Sequence, residues 1–111
     1  MKQSPVILAI LFEIVDVFGK RIRTTQSYWH KIIAQKHTEF TYTSDDVITT
    51  LTHPDSVYQS VTDDTIALYR KEMKDDTMIV VAKHLNGEGF IVTVYQTTKT
   101  KVKGTQLWPK T

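Results

Sequence analysis

The second half of the chain alternates between apolar and polar residues with a period of two, and this pattern constrains the fold most strongly. Such alternation is typical of β-strands, whose successive side chains point to opposite faces of a sheet. Valine, isoleucine, tyrosine and threonine, which favour strands, are frequent there. Short polar links between the segments, including Asn86-Gly87, favour tight antiparallel hairpins. A four-stranded meander is therefore predicted, with strands at 57–61, 65–73, 78–85 and 89–98.

Helical patterns precede these strands. Thr24 or Thr25 is a predicted N-cap for a first helix at 26–37, and Ser44 is a predicted cap for a second helix at 44–51. Helices that come before a meander are typical of α+β domains, in which they cover one face of the sheet. The sequence therefore predicts an α+β fold, with two N-terminal helices packed on a four-stranded antiparallel β-meander.

Composition limits the chain to one small domain. The 111 residues, with 41% hydrophobic and 23% charged side chains, suffice for one hydrophobic core, predicted as a single domain at 1–111 with its core at about 15–109. The absence of cysteine excludes disulfides and cysteine nucleophiles. The apolar run at 6–12 is too short for a membrane span and lacks the features of a signal peptide, so it favours a short N-terminal extended segment. We predict a cytoplasmic protein without a membrane partner.

His30 and His37 are candidate catalytic residues on the first predicted helix. Seven residues make nearly two helical turns, so both imidazoles leave the same side, at the edge of an apolar stripe. Imidazole exchanges protons near neutral pH, as acid–base catalysis requires. The two rings lie about 10 Å apart along the axis, too far to pass a proton directly. A solvated or hydrogen-bonded pair on a helix flank is the alternative interpretation.

The predicted strands offer further polar side chains. In the last strand, Thr93 and Tyr95 share a face that can hydrogen-bond an anion or can face water, while Phe90, Val92 and Val94 on the other face are predicted core. Arg70 and Lys71 are adjacent in another predicted strand and so lie on opposite faces. The sequence pattern does not show which of these faces packs on the core, so either residue can be the cation of the site.

A lysine ridge follows the last strand. In an extended chain, Lys99, Lys101 and Lys103 project from one face, and no acidic residue occurs between 97 and 111. The formal net charge is only +2, so this local cluster matters more than the overall charge. Two interpretations remain open: the lysines hold a phosphate backbone, or they deter an edge strand from pairing with other chains.

A series of motifs in order resembles a known family. The motifs are Gly19-x-x-Ile22, Trp29-His30-x-x-Ile33-x-x-x-His37-x-Glu39, Leu51-x-x-Pro54-Asp55-x-Val57, Leu68-Tyr69-Arg70-Lys71, Ile79-Val80-Val81, Phe90-Ile91-Val92-Thr93-x-Tyr95 and Gly104-x-x-x-Trp108. Together they resemble phage- and mobile-element-associated nuclease-like domains of the barnase/EndoU/colicin/RelE-like superfamily. Two positions depart from that pattern, Lys36 where arginine is common and Val94 where alanine is frequent.

The resemblance implies metal-independent RNA cleavage by a toxin or effector, with no cofactor. The ribose 2′-hydroxyl would attack the adjacent phosphate and leave a 2′,3′-cyclic phosphate. His37 would act as the principal base or acid, and His30 would be the second catalytic histidine. RNA would be the substrate, and an inhibitory immunity or antitoxin protein would be a further partner. The remaining site residues implied are Arg70, Thr93 and Tyr95 for the phosphorane, and Lys71, Lys99, Lys101, Lys103 and Trp108 for the RNA strand.

Two other functions compete with the ribonuclease. The first is a non-catalytic RNA- or protein-binding module on the same fold, since one fold hosts many functions. The second is a metal-dependent hydrolase that uses His30, His37 and Glu39. Zinc-binding histidines on one helix are commonly four residues apart, so a spacing of seven fits this function poorly.

Overall fold

The computed structural model describes residues 9–35, 41–99 and 101–109. The described elements are β1 (Ile10–Val15), β2 (Arg21–Thr25), α1 (Gln26–Ala34), α2 (Ser44–Thr52), β3 (Ser56–Gln59), β4 (Ile66–Glu72), β5 (Thr77–Leu85), β6 (Glu88–Thr97) and β7 (Gln106–Trp108). The predicted hairpin at Asn86-Gly87 joins β5 to β6. Both of its residues have positive φ, 51° and 82°, as this class of tight turn requires.

All seven strands belong to one mixed sheet, in the order β1-β2-β6-β5-β4-β3-β7. β2 and β6 are parallel, and the other neighbouring pairs are antiparallel. The predicted fold class is therefore wrong. The described chain is a seven-stranded mixed sheet with two helices, and the four predicted strands form only the β3–β6 part of it.

The sequence analysis predicts a short extended segment at 6–12, which overlaps β1, but it places none of β1, β2 and β7 in the sheet. β2 has five residues and β7 has three, too few to show a clear alternation. β1 is longer, but a register shift between Ile10 and Phe12 disturbs its pattern. β2 pairs with β6 and β7 pairs with β3, both distant in sequence, and β1 joins the sheet through its hairpin with β2. Local propensity does not report such pairing.

α1 begins where the sequence predicts. The side chain of Thr25, one of the two candidate caps, accepts a hydrogen bond from the backbone N–H of Tyr28 at 3.1 Å. The helix is shorter than the predicted 26–37, because it ends at Ala34 with Gln35 as its C-cap. Residues 36–40, which include the predicted His37, lie outside the described residues.

α2 is capped one residue earlier than predicted. Thr43, and not Ser44, is the N-cap, because its hydroxyl accepts from the backbone N–H of Asp46 while the Asp46 carboxylate accepts from the backbone N–H of Thr43. This reciprocal capping box satisfies two backbone donors, which a serine inside the first turn cannot do.

Both helices cover the same face of the sheet, which we call the closed face. Ile32 of α1 and Leu51 of α2 share a hydrophobic core with Tyr69, Val80 and Val94. The last three are direct neighbours across β4, β5 and β6, and each is fully buried. We call the opposite side of the sheet the open face.

A β-bulge in β6 changes which of its side chains face the core. Val92 is an extra residue opposite the β5 register shift, so the two-residue alternation reverses there. Ile91 is consequently fully buried beside Val94, whereas Phe90 is 41% exposed. The predicted core face of this strand is therefore wrong for Phe90 and Ile91. Tyr95, beyond the bulge, keeps its predicted place opposite the core.

Candidate nucleic-acid interface

Three neighbouring side chains form a row across the open face. Arg70 of β4 pairs with Ile79 of β5, and Ile79 pairs with Tyr95 of β6. Residues directly opposite one another in a sheet point to the same side. Thr93 lies on the same face one row away, beside Val81. The structure therefore brings together three of the predicted catalytic residues, Arg70, Thr93 and Tyr95.

A cleft of about 400 Å³ lies over this row. The connection from β6 to β7 must cross β5, β4 and β3, and its described residues 98–99 and 101–105 are here called the crossing segment. It passes on the open face, because it lines the cleft together with residues of the row. The lining residues are Ser60, Val61, Leu68, Arg70, Ile79, Tyr95, Gln96, Thr97, Lys99, Lys101, Val102 and Lys103.

Arg70 is the most unusual residue of the cleft. Its exposure is only 8%, yet its guanidinium makes no hydrogen bond or ion pair with any described residue. Buried charges in proteins are normally paired, because their removal from water is costly. The cleft therefore contains a cation whose hydrogen-bonding capacity is unused by the described part of the chain.

Tyr95 lies beside Arg70 at the cleft wall. Its side chain is 37% exposed, so one part contacts protein and another part faces the cleft. Burial raises the pKa of the Tyr95 phenol, and the nearby positive charge of Arg70 partly opposes this rise. The phenol therefore stays protonated at neutral pH and presents both a hydroxyl donor and an aromatic surface.

The predicted lysine ridge lies on the crossing segment. Lys99, Lys101 and Lys103 all line the cleft, all are exposed, and none forms an ion pair with a described acid. Val102 between them is half-buried. The segment is not a strand, so the interpretation as an edge strand does not apply to it.

Gly104 fixes the crossing segment against the end of β3. Its φ of +100° suits glycine, and a Cβ atom at this position would collide with the carbonyl oxygen of Gln59. Next to it, the backbone N–H of Gln59 donates to the carbonyl of Thr105 at 2.8 Å. The close approach of two backbones therefore decides where the lysines lie.

Two predicted RNA-binding residues lie away from the cleft. Lys71 follows Arg70 in β4 and so points to the closed face, where its Nζ donates to the carbonyl oxygen of His53 at 2.8 Å and lies 3.8 Å from Asp55. Trp108 packs edge-on against the ring of Phe18, with 6.2 Å between ring centroids. Of the two candidate cations, Arg70 lines the cleft and Lys71 does not.

The predicted histidine pair is not assembled at the cleft by the described residues. His30 is exposed on α1 and does not line the cleft. His37 and Glu39 lie outside the described residues. Their catalytic roles therefore stay predictions.

A different histidine takes part in a polar network that sequence analysis did not identify. The hydroxyl of fully buried Tyr69 donates to Oδ2 of Asp16 at 2.5 Å and lies 2.9 Å from Nε2 of His84. Because the single phenol proton goes to Asp16, Nε2 of His84 must donate to the phenol oxygen. Burial, assisted by the charge of Lys20, lowers the pKa of His84, although Asp16 opposes this. The network joins residues 16, 69 and 84, a separation that no local pattern reveals.

The described residues contain no group of three or more histidine, aspartate or glutamate side chains that could hold a metal ion. No helix in this part of the chain is both long and apolar enough to cross a membrane.

Comparison with known proteins gives no match, either to a protein-family model or to any curated protein or solved structure.

Proposed function

We propose that this domain binds single-stranded RNA in the cleft of the open face, as a non-catalytic binding module. One observation carries the proposal: Arg70 is 8% exposed on the cleft wall and has no acidic or hydrogen-bonding partner among the described residues. An anionic ligand would supply the partner that the described residues do not provide.

Phosphate fits this guanidinium best. The planar fork of arginine donates two parallel hydrogen bonds to a phosphate group, and such charge-assisted bonds are stronger than neutral ones. A phosphate in the cleft would also offset the cost of burying the Arg70 charge. The hydroxyl of Tyr95, two strands away in the same row, adds a second hydrogen-bond donor to the cleft.

The surroundings of Arg70 favour a nucleic-acid strand over a small anion. Lys99, Lys101 and Lys103 add three positive charges along the cleft that have no acidic partner among the described residues, so successive phosphates of one strand can contact them. Tyr95 offers an exposed aromatic surface, and stacking of unpaired bases on aromatic rings is typical of single-strand recognition. RNA was also the partner predicted from the sequence.

The test compares Arg70→Met with Lys71→Met, which removes a lysine from the opposite face of the same strand. Binding of a fluorescent RNA octanucleotide is measured by anisotropy over a range of salt concentrations. Arg70→Met is expected to weaken binding about 10- to 100-fold, as loss of a charged hydrogen bond does. It should also lower the slope of log K against log salt by about 0.7, the value for one single-strand phosphate contact.

Lys71→Met is expected to bind RNA like the wild type. Equal affinity of the Arg70→Met variant and the wild type, or no RNA binding by the wild type, would contradict the proposal. An equal loss in both variants would indicate nonspecific attraction by net charge and would also contradict it.

Metal-independent ribonuclease activity is the second candidate, and the position of Arg70, Thr93 and Tyr95 on the open face of neighbouring strands favours it. These three side chains would stabilise the phosphorane, and His37 would act as base or acid, as the sequence predicts.

RNA cleavage in EDTA separates the two candidates. A 2′,3′-cyclic phosphate product that is lost in His37→Ala and absent with a 2′-deoxy substrate would establish the ribonuclease. The His30→Ala variant shows whether the second histidine takes part. RNA binding without any product supports the binding module. Membership of the barnase/EndoU/colicin/RelE-like superfamily and an inhibitory partner protein remain predictions from the sequence.

A further inference from the structure

A second groove opens where β2 separates from β6. It has a volume of about 270 Å³ and is lined by Arg23, Thr24, Thr25, Tyr28 and Phe90. Arg23 and Phe90 are the last paired residues of β2 and β6, and α1 begins immediately afterwards. We propose that this groove binds one base of the RNA strand whose backbone occupies the Arg70 cleft. The inference rests on the proposed function and extends it from a phosphate site to a two-part RNA site.

Two aromatic rings give the groove its chemistry. Phe90 is 41% exposed and Tyr28 is 37% exposed, and neither ring contacts another aromatic ring of the described residues. The hydroxyl of Tyr28 donates to the carbonyl oxygen of Val92 at 3.1 Å, which holds the ring beside the strand. Exposed aromatic surface that is held in place is what base stacking requires, because little side-chain freedom is then lost on binding.

The charges around the groove favour a base over a phosphate. Glu88 forms ion pairs with both Arg21, at 3.1 Å, and Arg23, at 3.5 Å, and Glu13 lies 3.4 Å from Arg21. The charges of these two arginines and two glutamates therefore cancel. The Arg70 cleft, by contrast, contains four cations that lack an acidic partner among the described residues.

The bulge in β6 connects the two sites. Phe90 and Tyr95 are five residues apart, so a regular strand would place them on opposite faces. The extra residue Val92 restores both to the open face. Five residues of strand span about 16 Å, which equals about five nucleotides at a stacked rise of 3.4 Å and fewer in an extended strand.

RNAs of two lengths distinguish binding in the groove from binding in the cleft. Anisotropy is measured with a fluorescent RNA dinucleotide, which can fill only the Arg70 cleft, and with an octanucleotide, which can reach both sites. The variant Phe90→Ala is expected to weaken octanucleotide binding about tenfold, in line with the loss of one stacked base, and to leave dinucleotide binding unchanged. Phe90→Trp, which keeps an aromatic ring, is expected to retain octanucleotide affinity.

Leu85→Ala is the matched control. Leu85 is 45% exposed and belongs to the same hairpin, but it lines neither the groove nor the cleft. Unchanged octanucleotide binding in Phe90→Ala, or an equal loss in Leu85→Ala, would contradict the proposed base site in the groove. Neither outcome would contradict the proposed phosphate site at Arg70. Failure of the wild type to bind either RNA would instead contradict the proposed function itself.

Discussion

Tyr69 and Arg70 are adjacent in β4 and both are buried, yet they lie on opposite faces of the sheet and differ in how their polar groups are satisfied. On the closed face, the Tyr69 hydroxyl has two partners, Asp16 and His84. On the open face, the Arg70 guanidinium has none among the described residues. Burial alone therefore does not separate a structural polar residue from a functional one; the presence of partners does.

The same contrast indicates different roles for the Asp16–Tyr69–His84 network and for Arg70. Asp16 accepts backbone N–H groups of Phe18 and Lys20 on Oδ1 and the Tyr69 hydroxyl on Oδ2, so its carboxylate is fully engaged in holding the β1–β2 turn. These hydrogen bonds stabilise the fold, although Nδ1 of His84 is buried without a hydrogen-bond partner among the described residues. An unpaired buried cation instead costs stability, and a protein can recover that cost when a ligand binds.

Removal of the Tyr69 hydroxyl should give the largest loss of stability. Tyr69→Phe leaves the Asp16 carboxylate and the His84 Nε2–H without their shared partner, and the expected destabilisation is about 3 kcal/mol. Urea unfolding provides the measurement. Tyr58→Phe is the control, because its hydroxyl donates to Gln106 at an exposed site and its loss should cost under about 1 kcal/mol. Similar costs for both variants would contradict the structural role of the network.

Substitution of Gly104 tests how the crossing segment is held. Gly104→Ala is expected to lower the free energy of unfolding by about 2 kcal/mol or more, because it combines a positive φ with a collision against the Gln59 carbonyl. Gly87 has a φ of +82°, but no atom lies within 4 Å of the position of a Cβ atom. Gly87→Ala should therefore lower the free energy of unfolding only by the cost of a positive φ, about 1 kcal/mol. Equal losses would show that the backbone contact does not fix the segment.

Replacement of Arg70 should have the smallest effect on stability and the opposite sign. Arg70→Met keeps an apolar side chain of similar length and removes a largely buried charge that has no partner among the described residues, so the free energy of unfolding is expected to rise by about 1 kcal/mol. Thermal or urea unfolding without RNA measures it. A clear loss of stability would mean that Arg70 has a structural partner. Arg70 and Tyr69 would then not differ in the way described above.

Local patterns predicted parts of the fold and of the cleft. The Asn86-Gly87 turn, the Thr25 cap and the Lys99, Lys101 and Lys103 cluster depend on residues close in sequence, and the structure has each of them. The fold class was wrong because β1, β2 and β7 extend the sheet, and β2 and β7 are held there by pairing with strands distant in the chain. The face of Phe90 was wrong because one inserted residue reverses the alternation of a strand.

Propensity, capping and charge are local properties, so the amino-acid sequence alone predicts the β-rich second half, the helix cap at Thr25 and the basic segment without acidic residues. Three other features depend on how the chain folds in space. Arg70 faces the cleft while Lys71 does not, Asp16, Tyr69 and His84 meet, and the crossing segment places its lysines over the open face. These outcomes depend on strand order, on one bulge and on a close backbone approach at Gly104, all of which join residues far apart in the chain.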